Sequence, residues 1–208
     1  MLLRPSKTVV IDAQAHQPLS TLFLERYRRH LLDTIQTVDL GAVQRAVQWL
    51  QDARDADQQV FVCGNGGSAA TASHFVCDMV KGASCGQPVR FRIMALTDSM
   101  ATITAYANDV GYERAFVEHL RNFARDGDVL MAISGSGRSA NVLHAIEYAN
   151  SIGCRTIGLT GRDGGPLARL AQLHIHVPEQ HMGRIEDAHM MVCHMIAYSF
   201  IDSIPSAA

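Results

Sequence analysis

The sequence predicts an α/β protein of three layers, αβα, in which helices cover both faces of a parallel sheet. Short apolar runs rich in β-branched residues alternate with helical patterns from about residue 58 onward. This alternation is typical of parallel sheets, because each crossover between parallel strands places a helix on one face. The chain has 208 residues, of which 48% are hydrophobic, and it is therefore long enough to bury a sizeable core.

Two amphipathic helices are predicted ahead of this alternating part. Residues 1–18 show no clear periodicity and are interpreted as an N-terminal arm, which leaves residues 19–208 as a single domain. Apolar residues recur at helical spacing over 21–36, and the pattern repeats over 41–54. This helical pair suits subunit packing and core packing equally well.

Five strands and five further helices follow in the alternating part. The candidate strands are 58–63, 90–96, 128–134, 154–160 and 173–178. The helical patterns are 68–82, 99–107, 112–124, 139–151 and 184–202. Ligands of parallel sheets bind at the carboxyl ends of the strands, so the residues that follow each strand are the first candidates for a functional site.

Composition argues against several classes of protein. The formal net charge of −2 gives no electrostatic reason to expect nucleic acid or an anionic membrane as a partner. The N-terminus lacks the long apolar stretch of a signal peptide, and no run approaches the roughly 18 apolar residues of a membrane span. The five cysteines form no CxxC pair and are interpreted as reduced thiols, which predicts a cytoplasmic protein.

The loop that follows the first strand is rich in glycine. It runs from Gly64 to Ser68 and leads directly into a helix, whose free N–H groups favour an anion. Gly64, Gly66 and Ala69 fit the relaxed G-x-G-x-x-A pattern of dinucleotide-binding proteins. That pattern requires an acidic residue about 20 positions later, where this chain reads "ASCGQPVR", and Asp98 lies too far along. No nucleotide cofactor is therefore expected.

A second loop, "SGSGRS", is richer in hydroxyl groups. Ser134, Ser136 and Ser139 fall within six residues between a strand and a helix, with Gly135 and Gly137 as spacers. Hydroxyl groups and the amides of a helix N-terminus can bind a phosphomonoester without a lysine or a metal. The loop matches neither a Walker loop nor a nucleophile elbow. The alternative interpretation is a serine-rich turn in which Ser139 caps the helix.

Four ionisable residues have the spacing of a metal or acid–base site. His74 and Asp78 are four residues apart and project from one helix face. Glu186 and His194 lie two turns apart on the last helix. Two imidazoles and two carboxylates suit zinc or another divalent cation, and also general acid–base chemistry near neutral pH.

Spacing alone does not select among the ionisable residues. His189 competes with His194, and Asp187 competes with Glu186. Asp78 could instead be a solvated residue, and Glu186 could be an early-turn residue favoured by the helix dipole.

Four segments together resemble the SIS (sugar isomerase) domain family, and more closely its phosphoheptose isomerase branch. They are "CGNGGSAATASHF", "DVLMAISGSGRSANVLHAI", "IGLTGRDGG" and "RIEDAHMMVCHMI", and the resemblance covers roughly residues 21–202. It implies a flavodoxin-like five-stranded parallel sheet and a homotetramer with active sites shared between subunits. The implied reaction interconverts sedoheptulose 7-phosphate and D-glycero-D-manno-heptose 7-phosphate through an enediol.

The resemblance also implies roles for single residues. The serine loop, with Ser134, Gly135, Ser136 and Ser139, would bind the phosphate of the substrate. The residues that would contact the sugar are Asn65, Gly66, Gly67 and Ser68. The residues that would bind zinc are His74, Asp78, Glu186 and His194. Asp78 and His194 would also be the catalytic acid–base pair. Asp98 is a further candidate for sugar hydroxyls, with the N-cap of the next helix as its alternative role.

Three positions depart from the pattern of that branch. Asp78 replaces a glutamate, which retracts the carboxylate by about 1.5 Å, the length of one C–C bond. Glu186 replaces a glutamine and adds a negative charge, and Lys81 is only a possible stand-in for an arginine. These departures leave open which sugar phosphate is the substrate and which divalent cation is preferred.

Two other classes of function fit the same resemblance. One is a non-catalytic SIS protein, either a sugar-phosphate sensor or a protein that associates with a bacterial replication initiator. The other is an isomerase of a different sugar phosphate. The presence of an ionisable residue at all four site positions favours an enzyme.

Overall fold

A computed structural model describes residues 21–203 of the chain. The predicted arm at residues 1–18 lies outside this range. The strands are β1 (Gln59–Gly64), β2 (Arg92–Ala95), β3 (Val129–Ser134), β4 (Arg155–Thr160) and β5 (Leu173–His176). The α-helices are α1 (Thr21–Gln36), α2 (Leu40–Asp55), α3 (Gly67–Cys77), α4 (Met100–Asp109), α5 (Ala115–Phe123), α6 (Ala140–Ser151), α7 (Leu167–Leu170) and α8 (Met182–Ile201).

The five strands form one parallel sheet in the order β2-β1-β3-β4-β5. Val60 of β1 pairs with Ile93 of β2 on one side and with Val129 of β3 on the other. Strands β2 and β3 therefore lie on opposite sides of β1, and the chain changes direction along the sheet between them. The loops after these two strands diverge and leave a crevice, which is where open α/β sheets of this order bind ligands.

Both faces of the sheet are covered, which confirms the predicted three-layer architecture. Val60 and Val62 belong to a core cluster shared with α2, α3 and α8. Phe61 and Cys63, which alternate with them along β1, belong to a second cluster shared with α5 and α6. Because successive side chains of a strand point to opposite faces, a strand that is apolar throughout must be buried on both sides.

The helix that carries His74 and Asp78 ends differently from the prediction. The predicted segment 68–82 is α-helical only to Cys77 and continues as a π-helical turn over Asp78–Gly82. In that turn the amide of Ala83 donates to the carbonyl of Asp78 at 3.0 Å, five residues back. Apolar spacing does not distinguish these two helix types, whereas single π-turns inside helices are frequent at functional sites.

Two other differences from the prediction are small. The helix predicted over 112–124 begins with a 3₁₀ turn, Tyr112–Arg114, ahead of α5. The short helix α7 between β4 and β5 was not predicted, because four residues contain too little periodicity to detect.

Helix α1 is tied to the start of α8 by side-chain contacts. The hydroxyl of Tyr27 donates to Asp187 at 2.6 Å, and that of Thr34 donates to Glu179 at 3.0 Å. Arg184 forms an ion pair with Glu179 at 2.8 Å. The hydrogen bonds from Arg184 hold the pKa of the Glu179 carboxyl well below its usual range. These contacts fix the first turns of α8, which carry Glu186.

The cysteines of the described chain are free thiols. Cys63 lies in β1 and Cys154 directly before β4, as predicted, and burial raises the pKa of each to about 12. None of the helices within residues 21–203 is both long enough and apolar enough to cross a membrane.

Candidate active site

The loops after β1 and β3 line one cavity together with the first turns of α8. It encloses about 290 Å³. Eight of the nine residues predicted to bind the substrate line it, and Asp98 does not. The lining residues are Asn65, Gly66, Gly67, Ser68, Ile133, Ser134, Gly135, Ser136, Ser139, Met182 and Glu186.

The serine loop surrounds the N-terminus of α6. Ser139 is the N-cap residue, and its carbonyl accepts a hydrogen bond from the amide of Val142 at 3.0 Å. The first amides of an α-helix lack a carbonyl partner four residues back. The hydroxyl of Ser134 accepts a hydrogen bond from the amide of Gly137 at 3.1 Å and lies 3.4 Å from the hydroxyl of Ser139. The hydroxyl of Ser136 accepts from the amide of Arg138 at 3.2 Å. Three hydroxyls at the positive end of a helix suit a phosphate group chemically.

The loop that follows β4 packs against the serine loop. Gly137 has a φ of +63°, and a Cβ atom there would lie 1.9 Å from the carbonyl oxygen of Gly164. The carbonyl of Gly137 accepts a hydrogen bond from the amide of Leu167 at 3.1 Å. Arg138 and Asp163 form an ion pair between the same two loops. The backbone of the serine loop is thus fixed by contacts that only glycine permits.

The glycine-rich loop after β1 is joined to the start of α6 by a pair of asparagines. The amide of Asn65 donates to the side-chain oxygen of Asn141 at 2.8 Å, and the amide of Asn141 donates back to Asn65 at 2.9 Å. The hydroxyl of Tyr112 also donates to Asn65, at 2.7 Å. This network sets the width of the crevice. Sequence reasoning did not single out Asn141 or Tyr112, although a buried asparagine in the first turn of α6 was a usable signal.

A second group of ionisable side chains lies between α3 and α8. The Nε2 atoms of His74 and His194 are 3.0 Å apart. The Oδ2 atom of Asp78 lies 3.5 Å from Nε2 of His74 and 3.6 Å from Nε2 of His194. This oxygen is buried and has no hydrogen-bond partner. A buried carboxylate oxygen without a partner is costly, so the arrangement favours a cation at this point.

The three donor atoms fit a divalent cation. Zinc binds imidazole nitrogen and carboxylate oxygen at about 2.0–2.2 Å, which in a tetrahedral site places ligand atoms about 3.3–3.5 Å apart. His74, Asp78 and His194 form a group whose ligand atoms lie within 4.8 Å of one another. Although Asp78 is shorter than glutamate, its carboxylate reaches both imidazoles.

The structure also distinguishes between the candidate residues that spacing alone could not choose among. His194, and not His189, joins His74, because His189 is completely buried. Glu186, and not Asp187, lines the cavity. Glu186 does not belong to the group formed by His74, Asp78 and His194.

Asp98 lies apart from the serine-loop cavity. Its carboxylate accepts a short hydrogen bond from Ser73 of α3, and it lines a different cavity that includes the buried His119. The N-cap residue of α4 is Ser99, so the alternative role of Asp98 as the N-cap is wrong. Lys81 is exposed in the π-helical turn.

Comparison with known proteins identifies close relatives. The family model described as the SIS domain matches residues 23–161. The phosphoheptose isomerase of Syntrophotalea carbinolica is 35% identical over 85% of this chain and 91% of its own length. That of Citrifermentans bemidjiense is 41% identical over 74% of this chain and 80% of its own. The solved structure of the phosphoheptose isomerase from Neisseria gonorrhoeae superposes with a TM-score of 0.77 at 32% identity, covering 88% of this chain and 100% of that one.

Proposed function

The chain belongs to the SIS domain family, and from that membership we propose that it is a phosphoheptose isomerase. It would interconvert sedoheptulose 7-phosphate and D-glycero-D-manno-heptose 7-phosphate. The observation that carries the proposal is the pairing of a serine-lined cavity with the group formed by His74, Asp78 and His194. The first suits the phosphate of a sugar phosphate, and the second suits proton transfer at its carbonyl end.

The serine loop would bind the phosphate of the substrate. Ser134, Ser136 and Ser139 offer hydroxyl donors at the N-terminus of α6, where the helix dipole favours an anion. Binding energy from this remote group positions the reacting carbons without acting on them directly. The amides of the other loop, from Asn65 to Ser68, line the path of the sugar.

Asp78 and His194 would transfer the protons of the isomerisation. Asp78 removes the proton from the carbon next to the carbonyl, which yields the enediol, and returns it to the neighbouring carbon. His194 moves a proton between the two oxygens. The Oδ2 atom of Asp78 has no hydrogen-bond partner and is therefore free to accept a proton. The Nε2 atom of His194 lies 3.6 Å from that oxygen, so the two groups would act side by side.

His74, Asp78 and His194 would also hold a divalent cation, zinc being the first candidate. Such a cation, when bound, polarises a carbonyl oxygen and favours negative charge on it. Glu186, which was expected as a fourth ligand, lies outside this group.

The protein would act as a homotetramer with active sites at subunit interfaces. Helix α1 supports this, because Thr34 is the one residue of that helix that is buried within the described chain. Leu24 and Leu32 of this helix are exposed by 64% and 56%, and Leu40 at the start of α2 is exposed by 64%. Large apolar side chains exposed together are typical of protein–protein contacts. The free thiols fit the reducing cytoplasm, where we place the enzyme.

A turnover assay with sedoheptulose 7-phosphate tests the proposal. The purified protein is mixed with the sugar phosphate, with and without a chelator, and product formation is followed. Turnover that falls with the chelator and returns with zinc is the expected result. Binding without turnover would favour a sugar-phosphate sensor instead, and neither binding nor turnover would favour a protein partner.

A further inference from the structure

A series of hydrogen bonds runs from the backbone of α6 to the side chain of Asn65. It begins at Val142, whose backbone amide donates to Oδ1 of Asn141 at 3.0 Å. The oxygen and the nitrogen of an asparagine side chain are distinguished by their hydrogen-bond partners. Because a backbone amide can only donate, the Asn141 atom that faces it is the oxygen, and Nδ2 is the other atom.

The orientation of Asn65 follows from that of Asn141. Oδ1 of Asn141 also accepts from Nδ2 of Asn65 at 2.8 Å, and Nδ2 of Asn141 donates to Oδ1 of Asn65 at 2.9 Å. A reversed Asn65 amide would place nitrogen against nitrogen and oxygen against oxygen, and both bonds would be lost. The side chain of Asn65 therefore has one favourable orientation.

Tyr112 completes the hydrogen bonds of the Asn65 oxygen. Its hydroxyl donates to Oδ1 of Asn65 at 2.7 Å. An amide oxygen has two lone pairs, and those of Asn65 are now used by Asn141 and Tyr112. The Nδ2 atom of Asn65 has two hydrogens, of which one bonds to Asn141 and the other has no partner within the described residues. Asn65 can therefore offer a ligand in the cavity a donor but not an acceptor.

The place of Tyr112 is fixed by the turn in which it lies. This 3₁₀ turn, Tyr112–Arg114, is tied to α6, because the carbonyl of Glu113 accepts a hydrogen bond from Nδ1 of His144 at 3.0 Å. Tyr112 is 50% exposed, so loss of its hydroxyl would open no gap in the core. It is also not among the described residues that line the serine-loop cavity. Any effect of Tyr112 on a ligand there would thus pass through Asn65.

We infer that Tyr112 is a positioning residue, which makes the side chain of Asn65 a pure hydrogen-bond donor toward the sugar. This inference rests on the proposed function, because it assumes a phosphorylated sugar in the cavity. The free N–H of Asn65 would donate to a carbonyl or hydroxyl oxygen of that sugar. Without the Tyr112 hydroxyl, Oδ1 of Asn65 has an open lone pair that water can fill, and one neighbour holds the side chain instead of two.

Binding of two ligands tests this role. Calorimetry on the chelator-treated full-length protein compares the parent with Tyr112→Phe. We expect the variant to bind sedoheptulose 7-phosphate about fivefold more weakly, the effect of one lost neutral hydrogen bond, and inorganic phosphate within about twofold of the parent. Tyr106→Phe is the matched control, since the Tyr106 hydroxyl also bonds an asparagine, Asn122, at 3.3 Å, and neither residue lines the cavity. It should bind both ligands as the parent does.

A double-mutant cycle with Asn65 shows whether Tyr112 acts through it. In an Asn65→Ala background, Tyr112→Phe should change the affinity for the sugar phosphate by less than about twofold. A further fivefold loss in that background would overturn the inference. So would an unchanged affinity in Tyr112→Phe alone, or equal losses for the sugar phosphate and inorganic phosphate, which would mean that Tyr112 supports the whole crevice.

Failure of the proposed function is distinguishable from failure of this inference. Binding is measured separately from turnover, so a parent protein that binds the sugar phosphate without converting it would contradict the isomerase alone. The comparison of Tyr112→Phe with the parent would still decide the role of Tyr112. A parent protein that does not bind the sugar phosphate would contradict both.

Discussion

The Nε2 atoms of His74 and His194 lie 3.0 Å apart although 120 residues separate them in the chain. The contact arises because α3 and α8 pack against each other on the same face of the sheet. The two ring nitrogens are close enough for one imidazole to donate a hydrogen bond to the other or for both to face a cation, and the buried Oδ2 of Asp78 lies 3.5 Å and 3.6 Å from them.

Replacing the acid–base pair should abolish turnover. Asp78→Asn and His194→Ala are each expected to lower kcat at least 100-fold, because each removes a group that we propose to transfer a proton. Steady-state kinetics with sedoheptulose 7-phosphate measures the loss, and circular dichroism checks the fold. Asp109→Asn, an exposed carboxylate of α4, is the control for charge. Activity retained in both site variants would contradict the assignment.

Removing hydroxyls from the serine loop should weaken substrate binding more than catalysis. Ser136→Ala and Ser139→Ala are each expected to raise KM about tenfold with kcat changed less than threefold, because a lost hydrogen bond to a charged group costs about 1.5–3 kcal/mol. Ser151→Ala, at the far end of α6, should leave both constants unchanged. Equal KM values for all three variants would place the phosphate elsewhere.

The two glycine positions Gly137 and Gly86 should respond differently to alanine. Both have positive φ, +63° and +76°, but a Cβ atom at Gly86 meets nothing within 4 Å, whereas at Gly137 it collides with backbone. Urea unfolding is expected to show a loss of about 1 kcal/mol for Gly86→Ala, from φ strain alone. Gly137→Ala should lose about 3 kcal/mol or more. Comparable losses would mean that the two loops do not touch as described.

His189 should make stability depend on pH. Burial lowers its pKa from 6.5 to about 4, and nearby His176 adds to the effect. The unfolded chain binds a proton below pH 6.5 while the folded chain does not until about pH 4, so stability is lost as pH falls through this range. The loss amounts to about 3 kcal/mol by linkage. Denaturant titrations of metal-free protein at pH 7 and pH 4 measure it.

The variant His189→Gln supplies the comparison for that measurement. Because glutamine does not titrate, its stability should fall by about 3 kcal/mol less than that of the parent over the same pH interval. Parallel pH profiles for the two proteins would show that His189 is not the group responsible.

A charge on the exposed face of α1 should disrupt assembly. Leu24→Glu combined with Leu32→Glu is expected to shift the protein from tetramer to smaller species, because a buried unpaired carboxylate destabilises an interface. Sedimentation velocity measures the shift. Arg26→Glu, a charge change at an exposed position on another side of the helix, is the control. A monomeric parent protein would contradict the proposed tetramer directly.

The fold was largely predictable because its strands are short, apolar and buried on both faces. The strand predicted over 58–63 is found at Gln59–Gly64, and that predicted over 128–134 at Val129–Ser134. Strand β2 is shorter than predicted, Arg92–Ala95 against 90–96. It lies at the edge of the sheet, where fewer neighbours hold its ends.

The residues of the candidate site could be predicted from the sequence better than their arrangement in space. The positions of His74, Asp78 and the serine loop follow from helical spacing and from the edge at which parallel strands end. The reciprocal bonds between Asn65 and Asn141 do not, because they join residues 76 positions apart through side-chain amides. The contact of the Glu186 carboxylate with Gly67 of α3 likewise depends on tertiary packing.

The collision that a side chain at Gly137 would cause with Gly164 has a consequence for how this pocket can change over evolutionary time. The support under the serine loop is built of main chain, and substitution there costs stability before it alters specificity. The cavity is also lined by the side chain of Met182, which has no role in the proposed chemistry and can vary more freely. New sugar preferences should therefore arise from substitutions of lining side chains, while the backbone that supports the serine loop is conserved by selection.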